Sequence, residues 1–202
     1  MLPISENKSR PLYPGLSPQI HARSNLIAAE GQGAAAVLEL FAKGPANFAA
    51  RSIILFTADK PTADAFVPRL EALGVDRLQT FPTIDTLLVR LDGFLSTAHM
   101  GTRLYATGTE GFIGRIVQSG IARDIVPGSI LTEHRGSMAR RVQCVHCKGI
   151  TENITLSHFT CSHCGLTLFV RDHFSRRLGA FQGVCANAED RTLVPSVTEL
   201  FP

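Results

Sequence analysis

The sequence predicts an α/β protein: a five-stranded, doubly wound parallel sheet followed by a small domain built around four cysteines. Three observations predict it. From Ile20 to Glu133, short apolar runs alternate with segments of helical period. The helices between those runs are long enough to serve as right-handed crossovers between parallel strands buried on both faces. Beyond Arg135 the alternation stops, and two Cys-x-x-Cys pairs, Cys144/Cys147 and Cys161/Cys164, follow with thirteen residues between them.

Residues 1–19 read as an extended arm, because Pro11, Pro14 and Pro18 interrupt any apolar period. Residues 20–135 form the α/β domain. Asn25 to Ala29 is a buried strand, and Gly31-Gln32-Gly33 leads from it into an alanine-rich helix, Ala34 to Ala42. Ser52 to Thr57 is the second strand. Thr62 to Leu73 is a helix with Phe66, Leu70 and Leu73 on one face, ended by Gly74. Arg77 to Phe81 is a third strand, and Ile84 to Ser96 an amphipathic helix with Leu87, Leu88, Leu91 and Leu95 as its core stripe. Arg103 to Thr107 is a strand, Glu110 to Ile121 a helix and Ser129 to Glu133 the last strand. Sheets of this kind bind ligands at the carboxyl ends of their strands, near the switch in strand order. The loops placed there are Ala29 to Gly33 and Thr107 to Gly111.

Gly136 to Val142 reads as a linker opening a second domain, residues 136–190, and residues 191–202 read as a C-terminal tail. Two Cys-x-x-Cys knuckles aim four sulfurs at one point, the spacing of a tetrahedral metal site. Zn²⁺ suits four thiolates because it makes no redox demand and has no strict geometric preference. Iron binds the same four-sulfur set, as in rubredoxin-like electron carriers. A strand within Ile150 to Phe159 and another at Leu166 to Val170 complete the knuckle-strand-knuckle-strand order of a zinc ribbon. So small a block draws part of its folding energy from the metal, on the order of 10 kcal/mol in small zinc domains. His146 and His163 lie inside the knuckles and read as exposed residues, since all four cysteines are in register. Cys185 is a fifth, inert thiol.

The 202 residues carry 20 Lys and Arg against 17 Asp and Glu, a formal net charge of +3. That near balance argues against nucleic acid as partner, although Arg140, Arg141, Lys148, Arg171, Arg176 and Arg177 gather around the ribbon, as in nucleic-acid-binding ribbons. No apolar run reaches the roughly eighteen residues of a membrane span. The N-terminus has no signal-peptide pattern, and four cysteines at metal spacing suit the reducing cytoplasm. Behind the ribbon, residues 171–181 hold three arginines, one histidine and two phenylalanines. Arginine forks with aromatic anchors are interface chemistry, so Arg171, His173, Phe174, Arg176 and Arg177 are candidate partner contacts. No catalytic residue is assigned, because His173 beside Asp172 has no nucleophile in its vicinity in the sequence.

The stretch from Arg103 to Glu133 resembles the end of the nicotinamide-binding module of ferredoxin-NADP reductases. There a strand leads into a Cys-Gly-Pro turn, a helix and a further strand. Here the turn reads Thr107-Gly108-Thr109, followed by Glu110-Gly111-Phe112. The resemblance implies a dinucleotide site at Gly31, Gly33, Gly108, Thr109 and Glu110. The first loop departs from the pattern: Glu30-Gly31-Gln32-Gly33-Ala34 sets a carboxylate where a phosphate would approach, and Gly-x-Gly-x-x-Gly fails at Ala36. A degenerate module either still helps to hold NAD(P)H or is architecture only.

The reductase-like domain, the ribbon and the segment Arg171 to Val184 together resemble the DmmA family, the small zinc-ribbon subunit of bacterial dimethylamine monooxygenases. That resemblance covers most of the chain from Leu26 to Glu189 and is strongest over Cys144 to Val184. It implies an accessory subunit of a hetero-oligomer that oxidises dimethylamine to methylamine and formaldehyde with NAD(P)H and dioxygen. Haem, FMN and an iron–sulfur centre are then expected on partner subunits.

Overall fold

The structure is a computed structural model describing residues 9–190 and 196–202. It divides into two compact units. One is Tyr13–Gly136; the other is Ser137–Pro202 together with residues 9–12.

The first unit is a parallel sheet in the order β3-β2-β1-β4-β5: β1 is Ser24–Glu30, β2 Ser52–Thr57, β3 Arg77–Phe81, β4 Thr102–Gly108 and β5 Ile130–His134. The apolar runs take the sheet's centre because both their faces are covered. Ile27, Ala29, Ile54, Phe56 and Tyr105 face helices α1 (Gly33–Ala42) and α2 (Lys60–Glu71). Their neighbours Leu26, Ala28, Leu55, Leu104 and Ala106 face α3 (Ile84–Leu95) and α4 (Glu110–Ala122). Residues adjacent in a strand thus supply two opposite cores, as a period of two requires.

Polar residues set the helix starts. Asp59 accepts from the Thr62 N–H at 3.1 Å, which starts α2 two residues before the expected Thr62. Thr83 and Thr86 bond reciprocally at the start of α3. The chain leaves β1 toward β2 on one side and meets β4 on the other, so the switch in strand order falls between β1 and β4. The later part of the N-terminal arm lies along this sheet: Gly15 N–H donates to Thr132 O, Leu16 N–H to Glu133, and Gln19 N–H to the Tyr105 hydroxyl.

The second unit is a five-stranded sheet, larger than the expected ribbon. Its order is β7-β6-β10-β9-β8, with β6 at Arg140–Cys144, β7 at Ile150–Ile154, β8 at His158–Thr160, β9 at Thr167–Ser175 and β10 at Ala180–Cys185. Strand β6 takes up the last three residues of the expected linker, Arg140 to Val142. Strand β9 runs on through the basic-aromatic segment, burying Leu168, Val170 and Phe174 at alternate positions. Its core is Val142, Val170, Phe174, Phe181 and Phe201. Of the expected tail, residues 191–195 lie outside the described residues, as do residues 1–8 of the arm. Farther along, Leu200 and Phe201 N–H groups bond Thr155 O, each at 3.0 Å.

A buried arginine holds this end in place. The Arg140 guanidinium lies 3.8 Å from the Phe181 ring and 4.0 Å from the Phe201 ring. It donates to Asp172 Oδ1 at 2.8 Å. Stacked between two rings, the charge keeps a favourable partner on each face while buried. Asp172 also faces Arg10 at 3.7 Å, and Ser9 Oγ lies 3.3 Å from His173 Nδ1. Among the described residues, no helix is long and apolar enough to cross a membrane.

Candidate metal centre

The four cysteines converge. Cys144, Cys147, Cys161 and Cys164 offer sulfurs that all lie within 4.8 Å of one another. Cys144 and Cys164 are 3.9 Å apart, Cys147 and Cys161 3.8 Å. Four thiolates bound tetrahedrally at the zinc–sulfur distance are about 3.8 Å apart, so these two pairs already have the spacing of one metal ion and the whole set lies within about 1 Å of it.

Two copies of one local turn produce the convergence. In the first knuckle, Lys148 N–H donates to Cys144 O at 3.0 Å and Cys144 N–H to Gly149 O at 2.9 Å. In the second, Gly165 N–H donates to Cys161 O and Cys161 N–H to Leu166 O, both at 2.9 Å. Lys148 and Gly165, the equivalent residues, both take the left-handed conformation, with φ of 65° and 73°. The His163 ring covers the first turn, and its Nε2 lies 2.9 Å from Ile150 O. A Cβ on Gly149 would come within 2.4 Å of that ring. His163 is therefore an outer brace between the knuckles. That brace was not legible in the sequence; its signal is the glycine two residues after the first pair.

Backbone N–H groups prepare the sulfurs for charge. Burial opposes ionisation of Cys161, yet the His163 and Cys164 N–H groups, helped by the Cys164 and Cys147 sulfurs, bring its pKa down to about 7. Cys164 receives the Leu166 N–H, but desolvation and the sulfurs of Cys147, Cys161 and Cys144 push it up to about 12. The contrast reflects protons leaving a crowded cluster one after another. A bound cation removes the conflict, because each thiolate then faces positive charge. Cys185 is half-buried, with Sγ 3.5 Å from Asn187 Oδ1, and lies outside the four-sulfur cluster.

The predicted partner contacts divide. Arg171, His173, Arg176 and Arg177 are exposed, the last two in the turn between β9 and β10. Phe174 is core: it is 9% exposed and packs edge-on against Phe181 at 5.0 Å. An inward position on β9 removes it from the surface. Three of the six cations gathered around the ribbon are engaged within the unit, Arg140 with Asp172, Arg141 with Glu152 at 3.1 Å, and Lys148 with Val145 O at 2.6 Å.

The residues predicted for a dinucleotide do gather at the carboxyl ends of β1 and β4. Gly31 and Thr109 line a cleft of about 450 Å³ together with Glu30, Asp59, Thr83 and Arg135, whereas Gly33, Gly108 and Glu110 are not among its lining residues. Gly33 lies so close to β4 that a Cβ there would come within 2.4 Å of Thr107 O. Glu110 is 4% exposed, and its Oε1 accepts from the Tyr13 hydroxyl at 3.0 Å. The residue missing from the predicted set is Glu30: its Oε2 accepts from the Thr109 N–H at 3.0 Å and the Thr109 hydroxyl at 2.6 Å.

Residues 5–130 match the N-terminal domain, and residues 141–184 the C-terminal domain, of the family described as dimethylamine monooxygenase subunit DmmA-like. The chain belongs to this family. Its C-terminal DmmA-like domain contains both knuckles, and its N-terminal domain contains the residues lining the cleft other than Arg135 and Gly136. The heme-dependent oxidative N-demethylase delta subunit of Ectopseudomonas mendocina (strain ymp) is 34% identical over 134 residues, covering 65% of this chain and 77% of that protein. Among solved structures, this DmmA-like chain is similar to part of full-length CYP116B46 from Tepidiphilus thermophilus, with a TM-score of 0.43 and 17% identity over 66% of this chain. It is also similar to part of an intact type IV self-sufficient cytochrome P450 monooxygenase, with a TM-score of 0.42 and 16% identity over 80% of this chain. The chain spans 19% and 20% of those two proteins.

Proposed function

We propose that this chain is an accessory subunit of a haem-dependent N-demethylase complex acting on dimethylamine with NAD(P)H and dioxygen, and that it contributes structure and docking. Family membership over both units, with the delta-subunit relative, carries this reading. The four cysteines hold zinc, which fixes the knuckles and so the sheet behind them. Haem, FMN and an iron–sulfur centre belong to partner subunits in the same cytoplasmic assembly. Arg171, Arg176 and Arg177 are the docking cations, since they are exposed on one β-hairpin and present forks suited to carboxylates.

Purification of the assembly through a tag on this chain tests the reading. Co-elution of a haem protein and a flavoprotein is expected, with dimethylamine-dependent NAD(P)H oxidation. A chain that elutes alone under gentle conditions refutes it. Metal analysis decides the ion: a colourless protein with one zinc per chain is expected, and a coloured iron protein would make the site an electron carrier.

A further inference from the structure

We infer that Glu30 permanently fills the anion position of the nicotinamide-module cleft, so that this domain takes no dinucleotide. The inference concerns this chain's own cleft and is independent of the proposed place in a complex.

A phosphate binds such a sheet where a helix begins, drawn by free N–H groups and the helix dipole. In this unit α1 and α4 both begin beside the switch between β1 and β4, and the position between them is bounded by the start of α4. The Glu30 carboxylate already occupies it. One of its oxygens accepts both the Thr109 N–H and the Thr109 hydroxyl, while Thr109 Oγ1 itself caps the helix by accepting from the Phe112 N–H at 3.4 Å. Charge-assisted bonds to a carboxylate are the interaction a ligand phosphate would make there.

The space beside Gly108 is also taken. Its φ of 148° and absent side chain are the features by which a glycine lets a ligand approach the backbone. In this cleft the approach is made from within: a Cβ at Gly108 would lie 2.7 Å from Glu30 Cβ and 3.1 Å from its Oε2. The charge that could draw a diphosphate in is already engaged. Among the described residues lining the cleft the cation is Arg135, which is held by Glu133 and bonded to both Glu39 oxygens at 3.1 and 3.0 Å. Glu30 and Asp59 add negative charge to the lining, which repels phosphate.

The test uses the full chain loaded with its metal. Calorimetric titration with NADPH, and separately NADH, is expected to show no saturable heat up to about 1 mM. Saturable binding with a Kd below about 1 mM overturns the inference. Inorganic phosphate then probes the position itself by amide chemical shifts of Thr109 and Glu110. The unsubstituted protein is expected to show no response, whereas Glu30→Ala gains saturable millimolar binding at those amides. Phosphate binding at those amides in the unsubstituted protein, or none in a folded Glu30→Ala, rejects Glu30 as the occupant. Glu30→Gln keeps an acceptor of the same shape and is the second variant. Thr109 amide exchange is expected to quicken about tenfold or more in Glu30→Ala and by less in Glu30→Gln, as loss of one hydrogen bond implies. Equal exchange in all three proteins would also reject it.

Discussion

Replacing Arg140 tests how the metal-bearing unit is held together. Arg140→Ala removes a side chain that is 4% exposed, stacked between Phe181 and Phe201 and bonded to Asp172. A desolvated cation–π contact is worth about 2 kcal/mol, and this guanidinium makes two. The ion pair adds less, because Asp172 is 32% exposed and partly screened by water. Removing one partner of a buried charged network costs about 3–5 kcal/mol, and the stacking alone accounts for most of that. Arg140→Lys keeps a charge for Asp172 but loses the planar stack, so a loss of about 1–2 kcal/mol is expected. The chain has no tryptophan, and both of its tyrosines, Tyr13 and Tyr105, lie in the other unit, so tyrosine emission is blind to this change. Transfer of metal to a coloured chelator during urea unfolding reports on the correct unit. With a slope of about 1 kcal/mol per molar urea, the alanine midpoint falls by about 3 M or more. Amide exchange at Leu200 and Phe201 should quicken in parallel, because Phe201 loses the group on which it stacks. A midpoint shift below about 1 M, with those amides still protected, would refute the stacking account.

Other outcomes follow from the same geometry. Cys161→Ser is expected to abolish stoichiometric metal and cost the second unit about 3 kcal/mol or more, while tyrosine emission from the first unit keeps its urea midpoint. Gly33→Ala drives a Cβ to within 2.4 Å of Thr107 O and should cost about 1–3 kcal/mol. Gly93→Ala, in α3 with nothing within 4 Å of its Cβ, should instead stabilise by about 0.5–1 kcal/mol. Tyrosine-detected urea melts of the pair check both signs. In the metal-free protein Cys161 is depressed from 9.0 to about 7, so its thiolate stabilises the fold above pH 9 and that contribution disappears as pH falls through 7. Bound metal competes with protons more strongly, so its release on acidification should have a midpoint below pH 7, read by the same chelator.

The first unit was legible because its physics is local. Apolar runs such as Ile53 to Phe56, and stripes such as Leu87, Leu91 and Leu95, reveal strands and helices without knowledge of their neighbours. The cysteine pairs were legible for a similar reason, since their spacing encodes two like turns. The sheet behind them was hidden by a charge in an unusual place. Arg140 and Val142 are both inward residues of β6, but an arginine breaks the apparent alternation and makes the segment look like a linker. Strand β9 was disguised likewise, because Asp172 sits between Val170 and Phe174 on an otherwise apolar face. At the cleft, the sequence placed Glu30 where a phosphate would approach but could not show that Thr109, far away in the chain, binds its carboxylate.

The bonds of Ser9 and Arg10 to His173 and Asp172 bear on how the chain can be divided. The metal-bearing unit is discontinuous: its sheet begins after Ser137, yet part of its hydrogen bonding comes from the other end of the polypeptide. A fragment starting at Ser137 therefore keeps every metal ligand but leaves the outer side of β9 without these partners. Ser9 also accepts the Phe174 N–H at 3.3 Å, a bond that cleavage between Leu12 and Tyr13 would leave without its covalent tether. For genetic fusion or circular permutation, residues 9–12 count as part of the second unit.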